Sequence, residues 1–287
     1  MRQTPEHKTK TQLAKDLGVS RASLYYEPKT PAKDRELKQK IERALHDYPS
    51  YGHRRIALAL KMNKKPVKRV MKKYGIKPYR RRPKKPRKPE DEHKTPAPYQ
   101  NLLLSIPFPD KPHTVWVSDF TYLWFHGVFL YLATVMDVFT RRIIGWYALN
   151  AHTTELVKGA FISALITVSR SPEITHSDQG SEYAAEEYIQ LIEAVGTRVS
   201  MSRKASPWEN GYQESFYSQF KIDLGDPNRF ETTGELIAAI AQTMRFYNTE
   251  RIHTALKMPP LAFAQQYEQR SNPQYFFTDN VSKERGT

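Results

Sequence analysis

Apolar residues along this chain follow two rhythms, and the change from one to the other falls near residue 112. Upstream the spacing is helical. Leu13, Leu17, Val19 and Leu24 punctuate residues 9–28, where Gly18 can make a turn and Ser20 can cap a second helix. This is the pattern of a helix-turn-helix, or of an ordinary helical hairpin. Over 34–78, Leu37, Ile41 and Leu45 recur at i, i+4, i+8 and form one stripe. A break at 48–52 follows, a second helix starts at Arg54, and Val67, Val70, Met71 and Tyr74 carry an apolar face from Pro66 to Gly75.

Downstream the spacing changes. Segments 114–123, 128–137 and 142–149 are rich in Val, Ile, Thr and aromatics, with short turn-compatible stretches between them, and read as strands. A helix at 154–169 follows, buried through Val157, Ala160, Phe161, Ala164, Leu165 and Val168. Next come a strand at 173–177, a helix at 182–195, a strand at 197–202, and helices at 208–222 and 232–248. Three antiparallel strands and then alternating helices and strands predict an α/β domain with a mixed sheet and helices packed on it.

Charge divides the chain at nearly the same place. Residues 1–100 hold 29 Lys and Arg against 10 Asp and Glu, a net of +19, while residues 101–287 carry a net of −4. Lys61, Lys64, Lys65, Lys68, Arg69, Lys72 and Lys73 crowd the polar faces of the second helical stretch. Such a block repels itself unless an anion neutralises it, so the first third reads as a module that grips a polyanion. Residues 79–100, with Arg80, Arg81, Arg82, Lys84 and Lys85 between prolines, cannot build a core and read as an extended linker suited to a phosphate backbone. The chain has no cysteine, which excludes disulfides, thiol nucleophiles and Cys-ligated metals. Its longest nearly apolar run, 128–136, is too short for a membrane helix, and its first residues lack the apolar core of a signal peptide, so a cytoplasmic protein is expected.

Three carboxylates in the second part invite chemistry. Asp119 shares a strand face with Val115 and Val117, an apolar setting that is costly for a charge unless something neutralises it. Asp178 follows the fourth strand, where Gly180 suits a sharp turn into the next helix. Glu214 lies on a helix anchored by Tyr212, Phe216 and Phe220, which fall about 160–240° around the wheel from it. Lys221 lies about 20° from Glu214 and roughly 10 Å further along the axis. That face offers a carboxylate and then a cation, an order that suits a metal followed by a phosphate. Asp137, with Arg141 and Arg142 nearby, reads as a turn salt bridge, and Glu209 as a helix N-terminal acid. His176 can orient the Asp178 turn or touch DNA, Arg251 and His253 can brace the last helices, and Trp208 reads as a packing residue.

These residues carry a family resemblance. The segments WVSDFTY around Asp119, HSDQGS around Asp178 and NGYQESF around Glu214, with 35 residues between Asp178 and Glu214, resemble the signature blocks of IS3-type insertion-sequence transposases. These are D,D(35)E enzymes of the transposase–retroviral integrase superfamily. Residues 247–253 and 259–263 resemble the family's C-terminal block, and 51–56 its upstream helical block. The resemblance spans about 12–268.

It implies an RNase H-like catalytic core preceded by a small all-α, helix-turn-helix DNA-binding region. The expected divisions are a helix-turn-helix segment (1–30), a basic helical domain (31–78), a linker (79–110), the core (111–270) and a tail (271–287). Asp119, Asp178 and Glu214 would bind two Mg²⁺, or Mn²⁺ as a substitute, and catalyse strand nicking and transfer. Arg21, Arg54, Arg55, Arg80, Arg81, Arg82, Lys84, Lys85 and Lys221 would contact DNA. The implied partners are the terminal inverted repeats, target DNA, further copies of the chain and an upstream-frame chain of the OrfA type, fused by frameshifting. The implied setting is a bacterial cytoplasm, at the nucleoid. An RNase H-fold nuclease and a catalytically dead DNA-binding regulator are the rival readings. A retroviral-type integrase would call for a His/Cys zinc domain, which a chain without cysteine lacks.

Overall fold

A computed structural model describes residues 9–25, 30–79, 99–202 and 211–271. Helix α1 (Lys10–Asp16) opens with a capping box, in which Thr9 Oγ1 accepts from the Gln12 amide and Gln12 Oε1 accepts from the Thr9 amide. Gly18 makes the expected turn at a φ of 63°. The second helix expected after it is instead a five-residue 3-10 turn, Arg21–Tyr25. Leu13, Leu17 and Val19 stay exposed and only Ala14 is buried. So short a segment with no face to bury cannot repay the cost of nucleating an α-helix.

Helices α2 (Thr30–Asp47), α3 (His53–Ala59) and α4 (Lys64–Lys73) form a bundle of their own. Its core takes Leu37 and Ile41 from the predicted stripe, then Tyr51, Ile56, Val67, Val70 and Met71. Part of the basic block is neutralised from within. Asp34, 1% exposed, accepts from Arg69 at 2.6 and 2.7 Å and from Lys73 at 2.9 Å. The two cations hold its carboxyl down at about 2.

The second part is a five-stranded sheet in the order β3-β2-β1-β4-β5. Strands β1 (Val115–Phe125), β2 (Val128–Asp137) and β3 (Ile143–Leu149) run antiparallel. β4 (Ile174–Ser177) and β5 (Arg198–Met201) add parallel pairings beyond β1. Helix α5 (Thr154–Val168) crosses from β3 to β4 and covers one face through Leu156, Val157, Ala160, Phe161 and Ala164. Gly145 makes the close approach possible, since a Cβ there would lie 2.4 Å from the Ala160 carbonyl oxygen. Between β4 and β5 the single expected helix is two, α6 (Ser181–Ala184) and α7 (Glu186–Ala194), because Ala185 is extended. On the other face lie α8 (Gly211–Leu224) and α9 (Thr233–Thr249), packed through Phe216, Phe220, Leu236, Ile240 and Met244. A further helix, α10 (Pro260–Ser271), begins with proline at its first position, where the missing amide costs nothing.

The pairing has one consequence for function. β4 pairs with β1 only over Val115–Val117, so β1 becomes a free edge just before Asp119. Antiparallel pairing with β2 holds Asp119 opposite Thr134.

Candidate active site

Asp119 occupies that edge, partly buried, with Oδ1 accepting from the Phe120 amide at 2.8 Å. Asp178 stands where β4 ends, and its Oδ1 accepts from the Gly180 amide at 3.0 Å, which closes the turn. Glu214 is exposed in the first turn of α8. Two of the acids act on Asp119. Burial, then Asp178 and Glu214, push the Asp119 carboxyl up to about 7, while the Phe120 amide and Lys221 pull it back. Burial and Glu182 also raise Asp178. Among the described residues no group of three His, Asp or Glu is arranged around a single ion. The donor set is nonetheless all oxygen and electrostatically frustrated, which is the environment a hard divalent cation relieves. Glycine at 180 leaves both carboxylates uncrowded, because a Cβ there would lie 3.1 Å from Asp178 Oδ1 and 3.0 Å from Glu182 Oε2.

Two residues that sequence reasoning missed fix α8 in rotation. Gln213, fully buried, donates to the Val117 and Thr134 carbonyls at 2.7 and 3.2 Å and accepts from Thr134 Oγ1. The Tyr217 hydroxyl donates to the Asp119 carbonyl at 2.6 Å. Glu214 is thus turned by side chains bonded to the strand that carries Asp119. The wheel marked only the large apolar positions as anchors, so a buried glutamine gave no signal. Phe216 and Phe220 are buried as expected, while Tyr212 is only partly so.

A fourth acid joins the margin. Glu182, buried, accepts from His152 Nδ1 at 2.6 Å, and this partner holds its carboxyl low against the effect of burial. Lys221 sits further along α8 with Nζ 5.1 Å from the Tyr122 ring centroid.

Other candidates fall elsewhere. Asp137 makes no turn salt bridge. It is fully buried and accepts from the His113 amide and from the Thr140 amide and hydroxyl, so N–H and O–H donors rather than arginines satisfy it. His176 is buried against Ser200 Oγ at 2.8 Å, too deep for DNA. Arg54 is exposed, but Arg55 turns inward, donating to Gln219 at 3.2 Å and Thr254 at 3.1 Å. Both arginines line a cleft of about 620 Å³ between the helical bundle and α8. Arg21 is exposed on the 3-10 turn beside Tyr25. Arg80, Arg81, Arg82, Lys84, Lys85, Trp208 and Glu209 lie outside the described residues. The His253 ring is driven down to about 4 by burial and by Arg141, Arg55 and Arg251.

Known proteins resemble this chain. Two integrase core domain families match, one over residues 109–207 and the other over 195–260. The insertion element IS600 31 kDa protein of Shigella sonnei is 34% identical over 88% of this chain and 97% of its own length. The transposase of insertion sequence element IS904 from Lactococcus lactis is 37% identical over 54% of this chain, which spans 62% of that relative. Among solved structures, a chain of the simian T-cell lymphotropic virus intasome, in complex with PP2A regulatory subunit B56 gamma, superposes with a TM-score of 0.50. It is 15% identical, over 77% of this chain and 73% of that one, so it speaks for the fold alone. On fold, sequence and matched domain together, this chain belongs to the insertion-sequence transposases of the transposase–retroviral integrase superfamily.

Proposed function

We propose that this transposase nicks DNA at the ends of its element and joins them to target DNA at a site built from Asp119, Asp178 and Glu214. The observation that carries the reading is the placement of Asp119 on the free edge of β1 with Asp178 where β4 ends, where burial first, and then Asp178 and Glu214, raise the Asp119 carboxyl to about 7. Bound divalent ions, Mg²⁺ or Mn²⁺, would activate the attacking oxygen and stabilise the leaving one. The chain's own residues do the rest. Asp119 and Asp178 supply oxygens from fixed positions on β1 and after β4. Glu214 completes the set from α8, held by Gln213 and Tyr217. Lys221, whose charge already reaches Asp119, meets phosphate beside the cut. Water in the attacking position gives nicking, and a DNA 3′-hydroxyl gives strand transfer.

The DNA ends are held by the basic helical bundle, with Arg54 on its exposed surface and the 79–100 linker along the backbone. Several copies act together on the ends, and an upstream-frame chain supplies a further DNA-binding part. The cytoplasm, at the nucleoid, is the proposed setting. The test is a purified full chain incubated with a duplex that carries the element's terminal repeat. Nicking at the repeat boundary in Mg²⁺, and none with a chelator, is the expected result. Cutting that ignores the repeat, or that persists without metal, contradicts the reading.

A further inference from the structure

On the β1–β2 hairpin the outward positions break the usual rule that a solvent-facing strand side is polar. Leu123, Phe125 and Leu130 point to the core, and the residues alternating with them should face water. They are aromatic instead. Phe120, Tyr122 and Trp124 share one face of β1, with Tyr131 opposite Tyr122 and Phe129 opposite Trp124 on β2. Tyr122 is 53% exposed, Trp124 49% and Phe129 41%. Helix α5 covers this side of the sheet over Ala133 and Val135, and the hairpin runs on beyond it.

The rings form a continuous series that leads to the acids. Trp124 meets Phe129 at 4.8 Å between centroids, Phe129 meets Tyr122 at 5.2 Å and Tyr131 at 6.2 Å, and Tyr131 meets Phe120 at 6.4 Å. Phe120 stacks on His152, whose imidazole is held by Glu182, beside Asp178 across Gly180. Phe120 also directly follows Asp119. At the outer edge Lys221 places its ammonium over the Tyr122 ring.

We propose that this aromatic face is a stacking track for unpaired nucleotides of the DNA strand that leaves the cutting site. The inference rests on the reading of Asp119 and Asp178 as that site. Three features favour nucleobases over a protein partner. The track starts at Phe120, which follows Asp119 and is linked through His152 and Glu182 to the margin of Asp178, so a strand that leaves the acids round the free edge of β1 meets it. Its surface is almost entirely aromatic, in edge-to-face and tilted pairs, and aromatic rings stack on any base without regard to sequence. A cation stands at its edge, where a stacked strand would carry its phosphates. From Phe120 to Trp124 the track spans about 13 Å, the rise of about four stacked nucleotides.

The test uses the full chain and two probes, a blunt duplex of the terminal repeat and the same duplex with a short single-stranded thymidine tail. The wild-type protein should bind the tailed duplex about tenfold more tightly. The double variant Trp124→Ser with Phe129→Ser should lose that preference while binding the blunt duplex within about twofold of wild type. Trp124→Phe, which keeps a ring, should retain the preference and lose the tryptophan quenching that oligothymidine produces. Equal wild-type affinity for both probes overturns the track. So does a double variant that keeps the tail preference, including one that merely turns a dimer into a monomer, which would make the face a contact between copies. Asp119→Asn should keep the preference, because stacking needs no metal. A protein that prefers the tail yet never cuts DNA would refute the catalytic reading and leave the track in place.

Discussion

Replacing Asp119 by Asn should lower metal-dependent nicking by at least about a thousandfold while terminal-repeat binding stays within about twofold. Asn keeps the shape and the Phe120 amide bond but removes the charge that two neighbouring acids and burial already oppose. The same substitution should change stability in a direction that depends on pH. The folded-state carboxyl is raised to about 7 from an ordinary value of 3.8. Between those values the folded protein holds a proton that the unfolded chain releases, so its contribution to stability is fully present below about 4 and is lost as pH rises through about 7. Without metal, Asp119→Asn should therefore melt at a higher temperature than wild type at pH 8, and the gap should narrow at pH 5 and close only below about pH 4. Mg²⁺ should raise the wild-type melting temperature at pH 8 and leave the variant's nearly unchanged. Calorimetry at the two pH values checks this without any turnover. A variant that melts no higher than wild type at pH 8 would show that Asp119 is not under the strain described.

Arg251→Ala should cost about 3–5 kcal/mol of stability, the usual penalty for removing one partner of a buried ion pair. Arg251 is 2% exposed, and its guanidinium donates to Asp223 at 2.6 Å, to Ser50 at 3.0 Å and to Gln219. Asp223, whose carboxyl burial already pushes up, would be left without its main cation. The joint between the helical bundle and the core would loosen with it. Ser50 and Tyr51 belong to the bundle side, Asp223 and Gln219 to α8, and the Tyr51 hydroxyl accepts from the Ile252 amide at 2.7 Å. Arg251→Lys should recover little, since a single ammonium cannot reach three acceptors in a fixed fork. Denaturant unfolding measures the loss, and a change below about 1 kcal/mol would mean that the pair behaves as if it were exposed.

Much of this fold was legible because its rhythm is simple. Strand β2 falls on the expected residues, and the other strands shift by one or two at their ends. The stripes of α2 and α4 predicted the bundle core. Legibility failed where a polar side chain works by geometry. Gln213 and Tyr217 lie outside the apolar stripe that anchors the wheel and carried no signal, yet they bond to strand carbonyls that come near α8 only through the long-range packing of the sheet. No local pattern singles out Asp34, because only the folding of α4 against α2 brings Arg69 and Lys73 to it. Arg55 looked like a DNA contact for the same reason reversed, because no local pattern shows that α8 and Thr254 come to meet it. The three acids could be picked out from 35-residue spacing and block identity. Their effect on Asp119 appears only because the pairing of β4 with β1 stops at Val117, which opens the edge on which Asp119 stands.

Strand joining is the most direct test of the claim that these acids form one transposition site. A duplex with the terminal repeat already cut to expose its 3′-hydroxyl would be incubated with plasmid target, Mg²⁺ and the full chain. Wild type should join the two, and Asp119→Asn, Asp178→Asn and Glu214→Gln should each fail while still binding the repeat. Joining that survives any one of these substitutions would contradict the account, as would a wild-type protein that cuts the repeat in Mg²⁺ yet never joins it to target.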